Sequence, residues 1–244
     1  MSQVKAVMWD VDGTLLDFLY AQRIAIIDCL KAEGVAVTDD MVSRYSQIND
    51  SYWKKLELGQ VTKEELHVRR FTDLFDEYGI NGVDVKGFRD KYLNILANTY
   101  AYEDGAYEIC QGLKGKVRQY VITNGVTEVQ RMKLRLSGLF ELMDDVFISE
   151  QIGVPKPHKE FFDYCMNAIG DLDRSELLIV GDSLTSDIKG GVLYGIPTCW
   201  YRPENYRERD DFNKEVYDNF TPDYEISHLK ELNDILWQNQ KDKN

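Results

Sequence analysis

The sequence predicts an α/β fold: a parallel sheet covered by helices on both faces, with one all-helical unit inserted near its start. Three observations predict it. From about residue 104 onward, short apolar runs alternate with helical patterns. The first apolar run, at the very start, ends in two aspartates, Asp10 and Asp12. The interval between that run and the next is far longer than an ordinary crossover and has helical character.

Val4–Trp9 is apolar and β-branched, as expected of a buried parallel strand. A buried strand tip has no use for unpaired carboxylates, because burying them is costly. Residues i and i+2 of an extended chain point to one side, so Asp10 and Asp12 can face one pocket where a cation offsets their repulsion. The inserted interval carries a helix over Tyr20–Glu33 that stops at Gly34. Thr62-Lys63-Glu64-Glu65 reads as a capping box opening a helix to about Tyr78, before Gly79. A further helix is predicted over Phe88–Tyr100, and the chain re-enters the sheet near Asp104-Gly105. The domain boundaries expected are 1–16 with 103–244 for the sheet unit and 17–102 for the helical unit. Strands then follow at Gln119–Ile122, Val146–Ile148, Leu177–Val180 and Pro197–Trp200. Helices over Val126–Ser137, Lys159–Ile169 and Ser186–Leu193 separate them. Right-handed crossovers put the C-terminal strand ends on one edge, where ligands bind in open α/β sheets.

Among the 244 residues, 43% are hydrophobic, enough for a sizeable core. The formal net charge of −13 argues against a polyanion-binding surface, so no nucleic-acid polymer is expected as a partner. A small phosphorylated ligand in a local pocket is compatible with it. Cys29, Cys110, Cys165 and Cys199 are scattered and form no CxxC, which points to reduced thiols rather than a zinc site or disulfides. The first residues carry no basic-then-apolar leader, and no apolar run reaches membrane-spanning length. The expectation is a soluble cytoplasmic protein, monomeric or homodimeric, with no membrane partner.

Each predicted strand ends in a distinctive polar group: Asp10 and Asp12, then Thr123-Asn124-Gly125, then Lys156 in Val154-Pro155-Lys156-Pro157, then Gly181-Asp182-Ser183 with Asp187 beyond. The topology brings them to one edge. Asp10, Asp12 and Asp182 can hold a hard divalent cation through oxygen. Thr123 can donate a hydroxyl hydrogen bond, and Lys156 a positive charge, to phosphoryl oxygens, and the loop amides near Gly13 and Gly125 can do likewise. Such donors supply most of the catalysis in phosphoryl transfer. A carboxylate facing phosphorus is a competent nucleophile, and the other aspartate can shuttle a proton. Taken singly, the same residues have plainer readings. Thr123 can be a strand-end residue, Lys156 can mark a rigid solvated loop, Asp187 can be a first-turn acid and Ser183 a helix cap. The histidines are poor candidates for catalysis.

Asp-Val-Asp-Gly-Thr-Leu, Thr-Asn-Gly, Lys-Pro and Gly-Asp-Ser-(three residues)-Asp, in this order, resemble the four motifs of the haloacid dehalogenase (HAD) superfamily. The large insertion after the first motif resembles its subclass with an α-helical cap (subfamily IA, C1 cap). The resemblance implies a Rossmann-like core domain and an inserted cap. It implies Asp10 as the nucleophile forming an aspartyl-phosphate, and Asp12 as the group that protonates the leaving oxygen and then activates water. It implies Mg²⁺ on the Asp10 carboxylate, the Asp12 backbone carbonyl and Asp182. Thr123 and Lys156 bind phosphate, with Asn124 and Gly125 of the same motif. Asp187 is then an indirect partner of the metal or of Lys156, or a direct ligand.

The acid at Asp12 separates phosphatases and phosphomutases from haloacid dehalogenases, which displace halide without metal. Hydrolysis of a phosphate monoester is therefore the leading reading. Ile48–Gly59 with Arg69-Arg70-Phe71, and the Thr123-Asn124-Gly125 stretch leading into Gln130 and Leu134, resemble the pyrimidine 5′-nucleotidase branch. That implies a nucleoside 5′-monophosphate as substrate, its base held by cap aromatics. Phe18, Tyr20, Tyr52 and Trp53 are candidates, although aromatics at helical spacing also serve as core. Alternatives are a phosphatase of sugar or other small-metabolite phosphates, a haloacid dehalogenase, and a non-enzymatic protein binding a phosphorylated ligand.

Overall fold

The structure is a computed structural model that describes residues 3–204 and 219–241. The chain divides into two compact units, Met1–Asp17 with Tyr102–Asn244, and Phe18–Ala101.

The first unit is built on six parallel strands: β1 Ala6–Trp9, β2 Arg118–Thr123, β3 Asp145–Ile148, β4 Leu177–Gly181, β5 Thr198–Tyr201 and β6 Tyr224–Ile226. Their order is β3-β2-β1-β4-β5-β6. The central strands are continuous apolar runs because both sheet faces are covered, and all four residues of β1 are fully buried. Trp9 of β1 satisfies its indole N–H inside this layer by donating to Gln119 Oε1 at 3.2 Å. The Gln119 amide in turn donates to the carbonyls of Cys110 and Leu142. One apolar cluster joins Met8, Ile122 and Ile179 of the sheet to Phe161, Phe162 and Cys165. Those three lie on a helix at Lys159–Ile169.

β6 is absent from the sequence prediction, for a physical reason: its three residues, Tyr-Glu-Ile, offer neither alternation nor an apolar run. The helix expected over Ser186–Leu193 also differs. The chain instead makes a π-helical turn at Leu184–Ile188 and only then a short α-helix, Lys189–Tyr194. Ser183 caps the turn, its hydroxyl accepting from Ser186 N–H.

The strand order fixes the site. The chain moves from β1 outward through β2 to β3, then returns to the other flank of β1 with β4. This is a topological switch point, with β1 at its centre. Trp9 is level with Val121 and Val180, and Thr123 with Ile148. The residues just beyond these positions therefore share one edge.

The second unit contains four helices: α1 Phe18–Ala32, α2 Asp39–Glu57, α3 Lys63–Tyr78 and α4 Val85–Ala97. The capping box at Thr62 and Glu65 forms, and Gly79 ends α3 at φ 63°. Helix α4 starts earlier than the apolar pattern suggests because the Asp84 carboxylate accepts from Lys86 N–H. It ends at Ala97, where the Asn98 amide folds back onto the Asn94 carbonyl. The core is aromatic: Tyr45 stacks on Phe71 at 5.6 Å, and Phe88 and Tyr92 meet Phe71 edge-on. No helix among the described residues is long and apolar enough to cross a membrane. All four cysteines are free and buried.

Candidate active site

A backbone bond from Asp10 N–H to the Val180 carbonyl, 2.9 Å, carries the central strand one residue past its end and sets Asp10 at the sheet edge. Asp10 is 8% exposed. Its Oδ1 accepts from Lys156 Nζ at 2.7 Å. Lys156 also donates to Asp187 Oδ1 at 2.7 Å and to the Ile122 carbonyl at 2.8 Å. An ammonium has three N–H donors, and here all three are used. What Lys156 offers an incoming anion is therefore charge. Burial works against that charge, but Asp10 and Asp187 more than offset it and hold the Lys156 pKa above its ordinary value.

Asp187 is fully buried. The π-helical turn swings it back so that its Oδ2 accepts from Ser183 N–H at 3.2 Å while Oδ1 meets Lys156. Such turns recur at functional sites. Asp182 follows β4 directly, and its Oδ1 accepts from the Thr14 hydroxyl at 3.2 Å. One carboxylate oxygen each from Asp10, Asp182 and Asp187 lies within 4.8 Å of the others. Burial pushes the Asp10 carboxyl up to about 7, against the pull of Lys156, with Asp187 and Asp12 adding to the rise. Burial, then Asp10 and Asp187, hold Asp182 well above the usual carboxylate range. Three acids face one ammonium, and the raised Asp10 and Asp182 values show that ionising all of these hard oxygen donors calls for a further cation. That donor set fits a divalent cation such as Mg²⁺. Gly13 permits the crowding: its φ is 90°, and a β-carbon there would lie 2.6 Å from Asp182 Oδ2.

Asp12 is placed differently. Its carboxylate lies outside the three-acid cluster and turns toward helix α6, Thr127–Leu136, numbered after α5, Ala106–Leu113. Gln130 Nε2 donates to Asp12 Oδ2 at 2.6 Å, and Lys133 Nζ to Asp12 Oδ1 at 2.9 Å. Thr123 is 2% exposed, and its hydroxyl oxygen accepts from Gly125 N–H at 3.1 Å. Asn124 clamps two loops together: its Nδ2 donates to the Lys156 carbonyl at 3.0 Å, and its Oδ1 accepts from Lys156 N–H at 2.8 Å. The structure thus brings Asp10, Thr123, Asn124, Lys156, Asp182 and Asp187 to one edge, and sends the Asp12 side chain to α6.

Gln130 and Lys133 are the functional candidates that reading by motif left without a role. A signal exists. Val129, Gln130, Lys133 and Leu134 are the buried face of α6, and a lysine in an apolar stripe demands a partner. The same signal marks Arg70 of α3, which shares a buried face with Leu66, Phe71, Leu74 and Phe75.

The helical unit carries the remaining four candidates. Phe18 opens α1 and is half-buried, and Tyr20 is 47% exposed. Tyr52 is buried between α2 and α3, its hydroxyl donating to Asp73 at 2.7 Å. Trp53, next to it, is half-buried.

Known proteins resemble this chain over most of its length. The family model described as haloacid dehalogenase-like hydrolase matches residues 4–195. The HAD-hydrolase YfnB of Bacillus subtilis is 37% identical over 97% of each chain. Its crystal structure, bound to magnesium and reported to show interdomain movement, aligns with a TM-score of 0.87 at 36% identity, covering 96% of this chain and 99% of that one. The pyrimidine 5′-nucleotidase PynA of Streptococcus pneumoniae is 35% identical over 98% of each chain. The pyrimidine 5′-nucleotidase YjjG of Escherichia coli is 29% identical over 94% of this chain and 96% of its own.

Proposed function

The chain belongs to the haloacid dehalogenase-like hydrolases, and from that membership we propose a Mg²⁺-dependent phosphate monoester hydrolase that works through an aspartyl-phosphate on Asp10. The carrying observation is the Asp10 carboxylate itself: one oxygen is tied to Lys156, and the group sits at the mouth of the central strand beside two further acids. The oxygen tied to Lys156 is oriented, which leaves Oδ2 to attack phosphorus. The Asp10–phosphorus bond forms as the bond to the leaving oxygen breaks, and Asp12 supplies the proton that oxygen needs. Asp12 then takes a proton from water as the aspartyl-phosphate is hydrolysed.

Asp10, the Asp12 backbone carbonyl and Asp182 are the groups that would hold Mg²⁺. Asp187 acts indirectly in this reading, because both its oxygens are already engaged by Lys156 and Ser183. When bound, the ion supplies positive charge to the phosphoryl oxygens and relieves the repulsion among the acids. Thr123 and the amides beside Gly125 serve the phosphoryl oxygens, and Asn124 holds the Lys156 loop in register.

The substrate class we propose is nucleoside 5′-monophosphates, pyrimidine ones first. Support comes from the two pyrimidine 5′-nucleotidases that match almost the whole chain. Dehalogenation needs no leaving-group proton and would give Asp12, with its two dedicated donors, nothing to do. The test is a panel of nucleoside monophosphates, sugar phosphates and p-nitrophenyl phosphate assayed with Mg²⁺. Turnover that EDTA abolishes and Asp10→Asn removes is expected, with pyrimidine nucleotides preferred. Turnover indifferent to both overturns the mechanism, and a preference for sugar phosphates overturns the substrate class. Trp53→Ala is expected to reorder the nucleotides while sparing p-nitrophenyl phosphate, and a uniform loss removes the cap aromatic from the specificity argument.

A further inference from the structure

We propose that Gln130 and Lys133 of α6 form a seat for the Asp12 carboxylate, positioning residues that fix the direction from which the leaving oxygen receives its proton. The inference rests on the phosphatase reading above and extends it to two residues outside the four motifs.

Both oxygens of Asp12 are held, one by a neutral amide at 2.6 Å and one by an ammonium at 2.9 Å. Two donors on different oxygens fix the carboxylate plane as well as its place, which a single bond would leave free to rotate. The donors come from one rigid element, at positions i and i+3 of the same helix face. Gln130 is 1% exposed and Lys133 is fully buried. Burying a lysine costs its hydration, and Asp12 is the carboxylate that balances it. The Asp12 side chain itself remains 24% exposed, so one flank stays accessible while the other is pinned.

A second observation concerns Gly125. A β-carbon at this position would lie 2.2 Å from Gln130 Nε2. The Gln130 side chain thus runs over the bare backbone of the Thr123-Asn124-Gly125 loop on its way to Asp12. The loop that serves the phosphoryl group and the seat of the proton donor are packed as one piece. That coupling sets the proton donor and the phosphoryl site in a fixed mutual register. Proton transfer depends on heavy-atom separations of roughly 2.6–3.2 Å, so a small drift of Asp12 slows it.

The step has a clean signature. As Asp10 bonds to phosphorus and the bond to the ester oxygen breaks, a proton carried on an Asp12 lone pair that neither donor uses passes to that oxygen, and Asp12 is left as the carboxylate that Gln130 and Lys133 hold. A leaving group that is already a stable anion needs it little, and a basic one needs it fully. The experiment measures kcat/KM with Mg²⁺ for three aryl phosphates of rising leaving-group basicity: p-nitrophenyl, phenyl and p-methoxyphenyl phosphate. The variants are Lys133→Met and Gln130→Met, with Lys133→Arg as the conservative control. General acid assistance contributes about 10²–10⁴-fold. A misdirected Asp12 is therefore expected to lose on the order of tenfold more on p-methoxyphenyl than on p-nitrophenyl phosphate. Lys133→Arg is expected to keep most of the wild-type slope. Equal losses on all three substrates, or no loss, overturn the seat and leave the phosphatase reading standing. A wild-type chain that hydrolyses none of the three with Mg²⁺ overturns both. Unfolding of both Met variants also overturns the seat, since the pair would then be holding the unit together rather than one side chain.

Discussion

Apart from Lys133, each unit buries one further cation, Lys156 in the sheet unit and Arg70 in the helical unit, and the two are treated in opposite ways. Lys156 in the sheet unit faces Asp10 and Asp187 at 2.7 Å, with Asp182 close by. Arg70 in the helical unit is 1% exposed and donates to Asn49 Oδ1 at 2.8 Å, while its guanidinium lies over the rings of Phe71 and Tyr92. Asn49 passes the chain of bonds on to Gln22. The first environment has more negative charge than its cation can balance and is left wanting another cation. The second spreads one positive charge over the Asn49 amide and two π-faces and leaves only the buried Arg70 Nε without a hydrogen-bond partner. Burial of a charge is therefore no mark of function. The mark is an imbalance of charge around it.

Breaking the sheet-unit side of this contrast has the largest expected effect on turnover. Asp10→Asn removes the proposed nucleophile and is expected to abolish hydrolysis of p-nitrophenyl phosphate. It also removes one charge from a crowded acidic cluster at constant volume, so the melting temperature without metal is expected to hold or rise. A marked fall in a thermal melt counts against the charge-excess account. Lys156→Met goes the other way. It leaves three carboxylates with no ammonium among them, and breaking a buried pair from one side costs about 3–5 kcal/mol. A urea titration of metal-free protein reads this directly, and an unchanged midpoint would mean the acids are already protonated in the resting fold.

The ion itself provides a gentler test. A cation that binds the folded state alone raises stability by mass action, about 2.7 kcal/mol at a hundred times its dissociation constant. Mg²⁺ is expected to raise the melting temperature of the wild-type chain, and to raise that of an Asp182→Asn variant less. Equal shifts in both proteins would remove Asp182 from the ion's surroundings.

On the helical side, Arg70→Met keeps the apolar stem and deletes the donors. The Asn49 amide oxygen then loses its buried partner, at a cost of about 1–3 kcal/mol. Hydrolysis of p-nitrophenyl phosphate per folded molecule is expected to stay the same. Should turnover vanish while the melt stays sharp, Arg70 is a ligand-binding group and the contrast between the two cations fails.

The same contrast explains what could be read from the chain in advance. Strands β1 to β5 were legible because a parallel sheet buried on both faces writes itself as unbroken apolar runs. The strand-end polar groups were legible because polarity at such a tip is costly unless it has a use. Helix α2 was not legible as a helix. Its buried face is Val42, Tyr45, Ile48, Asn49 and Tyr52, a narrow stripe with two tyrosines and an Asn in an otherwise polar segment. Asn49 is buried there because Arg70, some twenty residues on, satisfies its oxygen and Gln22 of α1 accepts from its amide. The destination of Asp12 was hidden for the same reason. Spacing places its backbone, but its partners Gln130 and Lys133 lie more than a hundred residues away on a different element. Local pattern reveals where a charge begins, and only the folded chain reveals which charge answers it.

The four cysteines give the smallest expected effect, and they check that neither unit hides a second reactive centre. A reactive thiol needs an exposed thiolate beside positive charge. Cys29 in the helical unit is pushed up to about 11, chiefly by burial, with Lys91 pulling only weakly the other way. In the sheet unit, burial holds the Cys110, Cys165 and Cys199 thiols higher still. Cys165 is the instructive case, because the nearby Lys156 would favour its thiolate. That ammonium is already committed to Asp10, Asp187 and the Ile122 carbonyl, so burial wins. Native protein at pH 8 is expected to react with a disulfide reagent such as Ellman's only at the rate of global unfolding, and Mg²⁺ is expected to slow that rate further. Fast labelling of one thiol in the folded protein would reveal a local opening, and labelling at Cys165 in particular would show that the Lys156 charge is less fully engaged than its three hydrogen bonds imply.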